Sequence, residues 1–337
     1  MRDVAVVAYA TRQAPRLDGS PTMVESLVPV FQDIWDQTGW TKNDIGFWCS
    51  GSSDYLAGRA FSFVSAVDAI GTLPPVVESH VEMDAAWALY EAWVKIQTGE
   101  VDTAFVYGFG KSSAGQLRRV LALQLDPYLY TPLWPDTVSL AALQARAGID
   151  RGLWDEKAMA EVVAARTGRE VADLLAEPLF ADPLRKHDCA RVNDGATAIV
   201  IAAGDKAREV RDNPAWITGY THNVDSQSLS LRDITESGST RRAAASLDLG
   251  GLDVAELYAP FSHQELILRN ELGLDEDVSV NPSGGVLQFN PMFSAGLVRI
   301  GEAASRIWDG SAGKTLAHAT SGPALQQNLL CLMEANA

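Results

Sequence analysis

Short apolar runs alternate along the chain with longer segments whose apolar positions recur at helical spacing. The pattern predicts strands at 4–10, 44–50, 75–78 and 102–108, with helices at 23–38, 60–70 and 83–98 between them. Strands separated by helices of this length are joined by βαβ crossovers, which implies an α/β fold with a mainly parallel sheet. The later part of the chain follows the same plan. It has predicted strands at 216–220, 253–258, 278–281, 315–320 and 329–333, and helices at 240–247, 262–272 and 294–308. The two parts share element order without sequence identity, so a duplicated half is expected from order alone. Between them, residues 112–194 break the pattern. LDPYLYTPLWPD at 125–136 is dense in proline and aromatic residues, and helices follow at 155–166 and 170–175. The stretch is too long for a passive connection. It reads either as a helical cap on one face of the sheet or as a loop domain that covers a substrate.

Composition narrows the partners. The chain has 337 residues, 47% of them hydrophobic, which is enough for a substantial core. Lys and Arg total 27 against 43 Asp and Glu, a formal charge of −16. Such a balance disfavours nucleic acid and anionic membrane surfaces, both of which bind through basic side chains. No apolar run approaches the roughly 18–20 residues of a membrane helix, and the first residues lead straight into a strand-like VAVVAYA without signal-peptide character. Cys49, Cys189 and Cys331 are odd in number and far apart, with no CxxC spacing. They read as reduced thiols of a cytoplasmic protein, with neither a disulfide frame nor a metal site.

Four segments interrupt the buried pattern with glycine or polar residues. Glu78-Ser79-His80-Val81-Glu82-Met83-Asp84 stands at a strand-to-helix junction. Free N–H groups at a helix N-terminus suit an anionic group, while Ser79 or Asp84 could equally cap the helix. Arg191-Val192-Asn193-Asp194-Gly195-Ala196-Thr197-Ala198 precedes a strand predicted at 199–203, and its small residues allow close backbone approach or tight packing. In Glu256-Leu257-Tyr258-Ala259-Pro260-Phe261-Ser262-His263 a strand end turns into a helix. Polar side chains at the carboxyl ends of strands are where α/β sheets place chemistry. Tyr258 is a candidate acid or base with His263 orienting it, against the alternative of a core tyrosine and a surface histidine. Asn281-Pro282-Ser283-Gly284-Gly285, then Phe289-Asn290-Pro291, then Ser294-Ala295-Gly296 open a helix. The glycine pair could form an anion-binding backbone concavity or a plain turn. No GxxxxGK[ST] occurs, and the GxG at 108–110 lacks a third glycine.

Taken in order, these segments resemble the thiolase superfamily, and within it the sterol-carrier-protein-X or lipid-transfer-protein thiolase-like branch. The residues that carry the resemblance are AWALYEAWVKIQTGEVDTAFVYGFGKSS at 86–113, DCARVNDGATAIVIA at 188–202, LDVAELYAPFSHQELILRNELGL at 252–274, NPSGG at 281–285 and SAGLVRIGEAA at 294–304. The resemblance implies two βαβαβαββ halves in α-β-α-β-α layers with a helical loop domain. It divides the chain into a first half at 1–111, a loop domain at 112–194, the last strand of the first half at 195–205 and a second half at 206–337.

The same resemblance implies how the site differs from a thiolase. Counting back from Ala88-Leu89-Tyr90 places the nucleophilic cysteine position on Glu82. The HDCF histidine position falls in Tyr258-Ala259-Pro260-Phe261, the GHP histidine position on Asn290, and the glycine-rich C-terminal loop on residues 327–332, where Cys331 stands. Without a thiolate there is no acyl-enzyme. The resemblance then implies either a retro-aldolase of sterol side-chain catabolism or a non-catalytic subunit. In the retro-aldolase, Tyr258 works on a β-hydroxyacyl-CoA, Asn290 binds an enolate oxygen and Glu82 is the alternative base. The second tyrosine expected near 289–296 is absent, since Phe293 has no hydroxyl. The non-catalytic subunit would pair as a homo- or heterodimer with a thiolase-like paralogue and a zinc-ribbon/OB-fold acyl-CoA-binding protein. A lipid-transfer protein is a third implication. Gly284, Gly285, Ser294 and His80 are candidate substrate contacts. Arg118 and Arg119, with Arg185 and Lys186 nearby, are candidates for the phosphates of CoA, which enters as part of the substrate and not as a tightly bound cofactor.

Overall fold

The computed structural model describes residues 2–16, 22–57, 60–71 and 73–336. In chain order the first half carries β1 (Val4–Ala14), α1 (Met23–Thr38), β2 (Phe47–Gly51), α2 (Asp54–Ala57), α3 (Ser62–Val67), β3 (Glu78–Val81), α4 (Ala85–Gln97) and β4 (Thr103–Lys111). There follow α5 (Leu117–Ala122), α6 (Thr137–Asp150), α7 (Glu156–Thr167), α8 (Val171–Ala176), and the small hairpin β5 (Leu179–Ala181) and β6 (Leu184–Arg185). The first half closes with β7 (Val192–Ala203), and α9 (Gly204–Val210) leads out of it. The second half holds β8 (Ala215–Val224), α10 (Gly238–Ala244), β9 (Val254–Glu256), α11 (Ser262–Leu272), β10 (Ser279–Val280), α12 (Gly285–Gln288), β11 (Asn290–Pro291), α13 (Ala295–Trp308), β12 (Lys314–Ser321) and β13 (Gln327–Glu334).

Three expectations change in detail. The helix predicted over 60–70 shortens to α3, with the single turn α2 standing before it, and the strand predicted over 75–78 begins at Glu78, at the sheet edge. The NDGATA segment does not precede a strand; it lies inside β7. It can do so because Gly195 leaves room for Pro291 of β11, whose Cβ would stand 2.8 Å from a Cβ at that position.

The main sheet runs β10-β9-β12-β13-β8-β1-β7-β4-β2-β3. Numbered within each half, both halves have the order third, second, fourth, fifth, first. The duplication expected from element order is thus repeated in the strand pairing. Toward each edge the pairs are parallel, as crossover helices require (β2 with β3 and β4, β9 with β10 and β12). In the middle, β4, β7, β1, β8, β13 and β12 pair antiparallel.

The strands are apolar on both faces because both faces are covered. Their inward faces share one core with α4 and α13, where Val4, Val106 and Ile201 of the first half meet Ala317, Leu329 and Met333 of the second. Leu27, Val30, Phe31 and Ile34 of α1 cover the far side of the first half. Ile267, Leu268 and Leu272 of α11 cover the far side of the second. The layers are therefore α-β-α-β-α, with α4 and α13 in the middle. Contact there is close: a Cβ at Gly301 of α13 would meet the Tyr9 ring at 2.1 Å. Among the described residues no helix is long and apolar enough to cross a membrane.

Candidate functional site

The two central helices begin at one point. Asp84 is the N-cap of α4, and its Oδ1 accepts from Ala86 N at 2.9 Å. The same carboxylate accepts from Gly296 N at 2.9 Å and Leu297 N at 3.2 Å in the first turn of α13. One side chain thus answers the positive ends of two helix dipoles. Phe293, held in the left-handed region at φ 67°, completes the junction by accepting from Ala85 N through its carbonyl at 2.9 Å. Burial pushes the Asp84 carboxyl up from its usual range, and the three N–H donors only partly offset this.

Asp84 and Phe293 lie in the wall of a cavity of about 960 Å³ whose other lining includes Tyr258, Asn290, Met292 and the turn 320–325. Tyr258 follows the carboxyl end of β9 and donates its hydroxyl to Asn290 Oδ1 at 2.8 Å. Burial, reinforced by the Asp84 charge, pushes the Tyr258 phenol far up, so it is a neutral hydroxyl. Asn290 is fixed from behind, its backbone N–H donating to Asn193 Oδ1 at 3.0 Å. Opposite this floor, the stretch 117–192 supplies Leu117, Leu121, Leu140 and Phe180, together with Arg118, Arg169, Lys186 and Arg191. Residues from the stretch that broke the sequence pattern therefore roof the cavity. Arg118 is paired with Asp136 and Arg169 with Glu177, whereas Lys186 and Arg191 form no ion pair among the described residues.

The sequence candidates divide. Tyr258, Asn290 and Arg118 line the cavity; Glu82, His80, His263, Gly284, Gly285, Ser294 and Arg119 do not. The Glu82 side chain is 57% exposed, and its carboxylate stands 3.6 Å from His80. His80 is stacked on Phe63 at 5.0 Å and bonded to Ser50 Oγ at 3.0 Å. His263 is fully buried, shares a 3.0 Å hydrogen bond with Gln144 Oε1 and makes none to Tyr258 among the described residues. Burial pushes its imidazole down to about 3, so it is neutral. The Gly284 and Gly285 amides are already engaged, by Asn281 O at 2.9 Å and Ser283 Oγ at 3.3 Å, which makes this segment a turn. Its polar side chains join neighbouring elements. Asn281 accepts from Leu257 N at 2.6 Å and donates to Glu265 at 2.9 Å, and Ser283 donates to Glu256 at 2.7 Å. Ser294 Oγ donates to Pro291 O at 3.1 Å, and Arg119 is exposed.

No protein-family model matches the chain. Over 171 residues it is 31% identical to an acetyl-CoA acetyltransferase of Methanothermobacter thermautotrophicus, a match covering 43% of this chain and 44% of that protein. Over 151 residues it is 29% identical to an acetyl-CoA acetyltransferase of Methanocaldococcus jannaschii, covering 36% and 38%. The chain thus spans less than half the length of these curated relatives. Among solved structures, an Ltp2-ChsH2(DUF35) aldolase superposes with a TM-score of 0.79 at 15% identity, over 99% of this chain and 98% of that one. Human mitochondrial 3-ketoacyl-CoA thiolase in complex with CoA gives 0.77 at 15% identity, over 100% and 98%. The chain has the thiolase fold.

Within that fold neither Cys49 nor Cys331 lines the cavity. Cys49 is buried in β2, and Cys331 is buried in the inner core on β13. Residues 327–332, where the resemblance put the C-terminal loop, are therefore strand, and the loop that reaches the cavity is the preceding turn at 320–325. That turn is strained, with Ala324 at φ 51° and Leu325 at φ 56°. Arg232 grips it through Pro323 O at 2.6 Å and Ala324 O at 2.8 Å. Cys189 alone of the three lines the cavity, and burial pushes its thiol up to about 12, so it is not a thiolate at neutral pH. Three cavity features escaped the sequence reading: Asp84 as more than a cap, the 320–325 turn, and Arg191 as a second cation without an ion pair among the described residues, beside the expected Lys186. A place as a possible cap, one residue past the predicted helix start, was the available signal for Asp84.

Proposed function

We propose that this chain acts on a CoA thioester in sterol or related lipid catabolism, in the cytoplasm, and cleaves a carbon–carbon bond by a retro-aldol step as part of a complex. The observation that carries this reading is the Tyr258–Asn290 pair, bonded at 2.8 Å on the floor of the cavity. A cavity of about 960 Å³ is of the size that takes a cofactor-sized ligand. Lys186 and Arg191 offer unpaired cations for phosphates that the −16 net charge would otherwise repel. Thiolysis needs a cysteine thiolate, and the one cavity thiol is held protonated. In the retro-aldol step a β-hydroxyl proton leaves, the Cα–Cβ bond breaks, and a ketone and a thioester enolate separate. Tyr258 supplies the proton that the enolate carbon takes up. Asn290 Nδ2, which has no partner among the described residues, donates to the enolate oxygen. The likeness to an aldolase solved with a DUF35 protein, and to a thiolase solved with CoA, supports a CoA thioester and an assembly with a thiolase-like paralogue or a zinc-ribbon/OB-fold partner.

A second reading, a non-catalytic subunit, is favoured by the lack of an imidazole at the floor. His187 is the cavity's histidine among the described residues, and its Nδ1 lies 3.1 Å from Glu177. The two readings are separated by incubating the chain, alone and with co-purifying proteins, with a branched 3-hydroxyacyl-CoA and no added CoA. The ketone and the shortened acyl-CoA are read by mass spectrometry. Cleavage that falls at least ~100-fold in Tyr258→Phe supports the retro-aldol reading. Cleavage only with a partner, unchanged by Tyr258→Phe, makes the chain a structural subunit.

A further inference from the structure

The retro-aldol reading leaves the substrate hydroxyl proton without an acceptor. Tyr258 is a neutral phenol whose own proton points at Asn290, and His263 lies outside the cavity. Glu82, the base expected from residue counting, is exposed and outside it as well. The remaining carboxylate on the floor is Asp84.

Resting on that reading, we propose that Asp84 is the general base of the cavity, taking the β-hydroxyl proton of the thioester while Tyr258 protonates the α-carbon. A carboxylate offers about four lone-pair positions. Ala86 N and Leu297 N take two on Oδ1 and Gly296 N takes one on Oδ2, which leaves a position on Oδ2. No cation is paired with Asp84 among the described residues. The nearest guanidinium group in charge terms, Arg299, is bonded to Glu256 and Ser283 at 2.6 Å. Burial raises the basicity of Asp84 above that of an ordinary aspartate, which is the direction base catalysis needs.

The step balances. Asp84 Oδ2 gains the hydroxyl proton, and the O–H electron pair becomes the second bond of the ketone. The Cα–Cβ pair passes into the thioester enolate, and the Tyr258 proton completes the new Cα–H bond. Protonated Asp84 and the tyrosinate then return to their starting forms by exchange with water. The charged and titratable groups that bear on Asp84 are Tyr258, Arg299 of α13 and Tyr220 of β8, whose hydroxyl donates to Ala86 O at 2.7 Å.

The test is the pH profile of kcat for cleavage of the same 3-hydroxyacyl-CoA, with Asp84→Asn and Asp84→Ser beside the wild type. The expected result is a kcat loss of about 10²–10⁴-fold in folded Asp84→Asn, with KM within a few-fold and the acid limb of the wild-type profile gone. Asp84→Ser keeps a capping oxygen, so it restores stability without restoring kcat. If Asp84 were only a cap, both variants would melt earlier but keep kcat and the acid limb, and that result overturns the proposal. Where neither variant folds, the wild type decides: a kcat independent of pH through the carboxylate range rules Asp84 out. A wild type that binds the probe and never cleaves it, alone or with partners, overturns the retro-aldol reading and the base together. Turnover with Asp84 dispensable overturns the base alone.

Discussion

Acid should unfold this protein through two histidines that take no part in the cavity. His263 and His318 are both fully buried, bonded through Nε2 to Gln144 Oε1 at 3.0 Å and to Asn328 Oδ1 at 2.9 Å. Burial pushes His263 down to about 3 and His318 down to about 4. In the unfolded chain both return to about 6.5. Because the folded values are depressed, the unfolded chain binds protons that the fold refuses. The neutral imidazoles' contribution is fully present above about pH 6.5 and is lost as pH falls toward 4 and 3. Each pH unit below 6.5 costs about 1.4 kcal/mol per histidine, so at pH 5 each contributes a loss of about 2 kcal/mol, about 4 together. That is a large share of a typical net stability of about 5–15 kcal/mol. Asp84 and Glu78 act in the opposite sense. Burial raises their carboxyls, so the fold gains relative stability as pH falls through their folded values. The measurement must therefore be a difference. Urea unfolding followed by tryptophan fluorescence at pH 7 and pH 5 is compared between wild type and His318→Gln, and separately His263→Gln. Each variant should lose about 2 kcal/mol less than the wild type over that interval, whatever its stability at pH 7. Equal losses in all three proteins would refute the assignment of the acid sensitivity to these imidazoles.

Three other outcomes are expected. Reversing charge at Lys186 and Arg191 together (Lys186→Glu, Arg191→Glu) should weaken CoA binding about 100-fold by calorimetry while leaving a pantetheine thioester unaffected; equal weakening of both ligands counts against a phosphate role. Gly108→Ala would bring a Cβ to 2.6 Å from Ala85 Cβ and 2.7 Å from Phe293 O, so it should part the cavity floor, lower thermal stability by about 1–3 kcal/mol and reduce thioester binding. An unchanged melting point would show that the α4–α13 junction is looser than its contacts indicate. Arg299→Met removes the cation bonded to Glu256, which is fully buried, and should cost about 3–5 kcal/mol in denaturant unfolding, with Glu256→Gln in the same chain recovering part of it.

What could be read from the sequence was what local pattern controls. α11 matches its expected limits, 262–272, because its C-terminus is set by a local device: Gly273 at φ 59° caps it. The strands were found because burial on both faces writes a continuous apolar run. The repeated order of the halves was visible only as element order. Any set of β-branched and small residues fills the same strand positions, so shared topology leaves no shared letters. The site was harder, for a geometric reason. Helix α4 begins only at Ala85, so Glu82 falls three residues before it and outside the cavity, while Asp84, its N-cap, is held inward by the amides of two helices. Side-chain type also misled at the two motifs with the strongest chemical look. Asn281, Ser283 and Asn193 are polar because loops must be tied to strand ends at depth, and their donors and acceptors are consumed there. The contacts that make the floor have no local signature. Asp84 meets Gly296 from 212 residues away, and Tyr258 meets Asn290 from 32. Periodicity reports on neighbours three or four residues apart. A cavity assembled from segments this far apart in the chain therefore becomes legible only when the two halves of the sheet are laid against α4 and α13, and the chemistry available there follows from which carboxylate that packing turns inward.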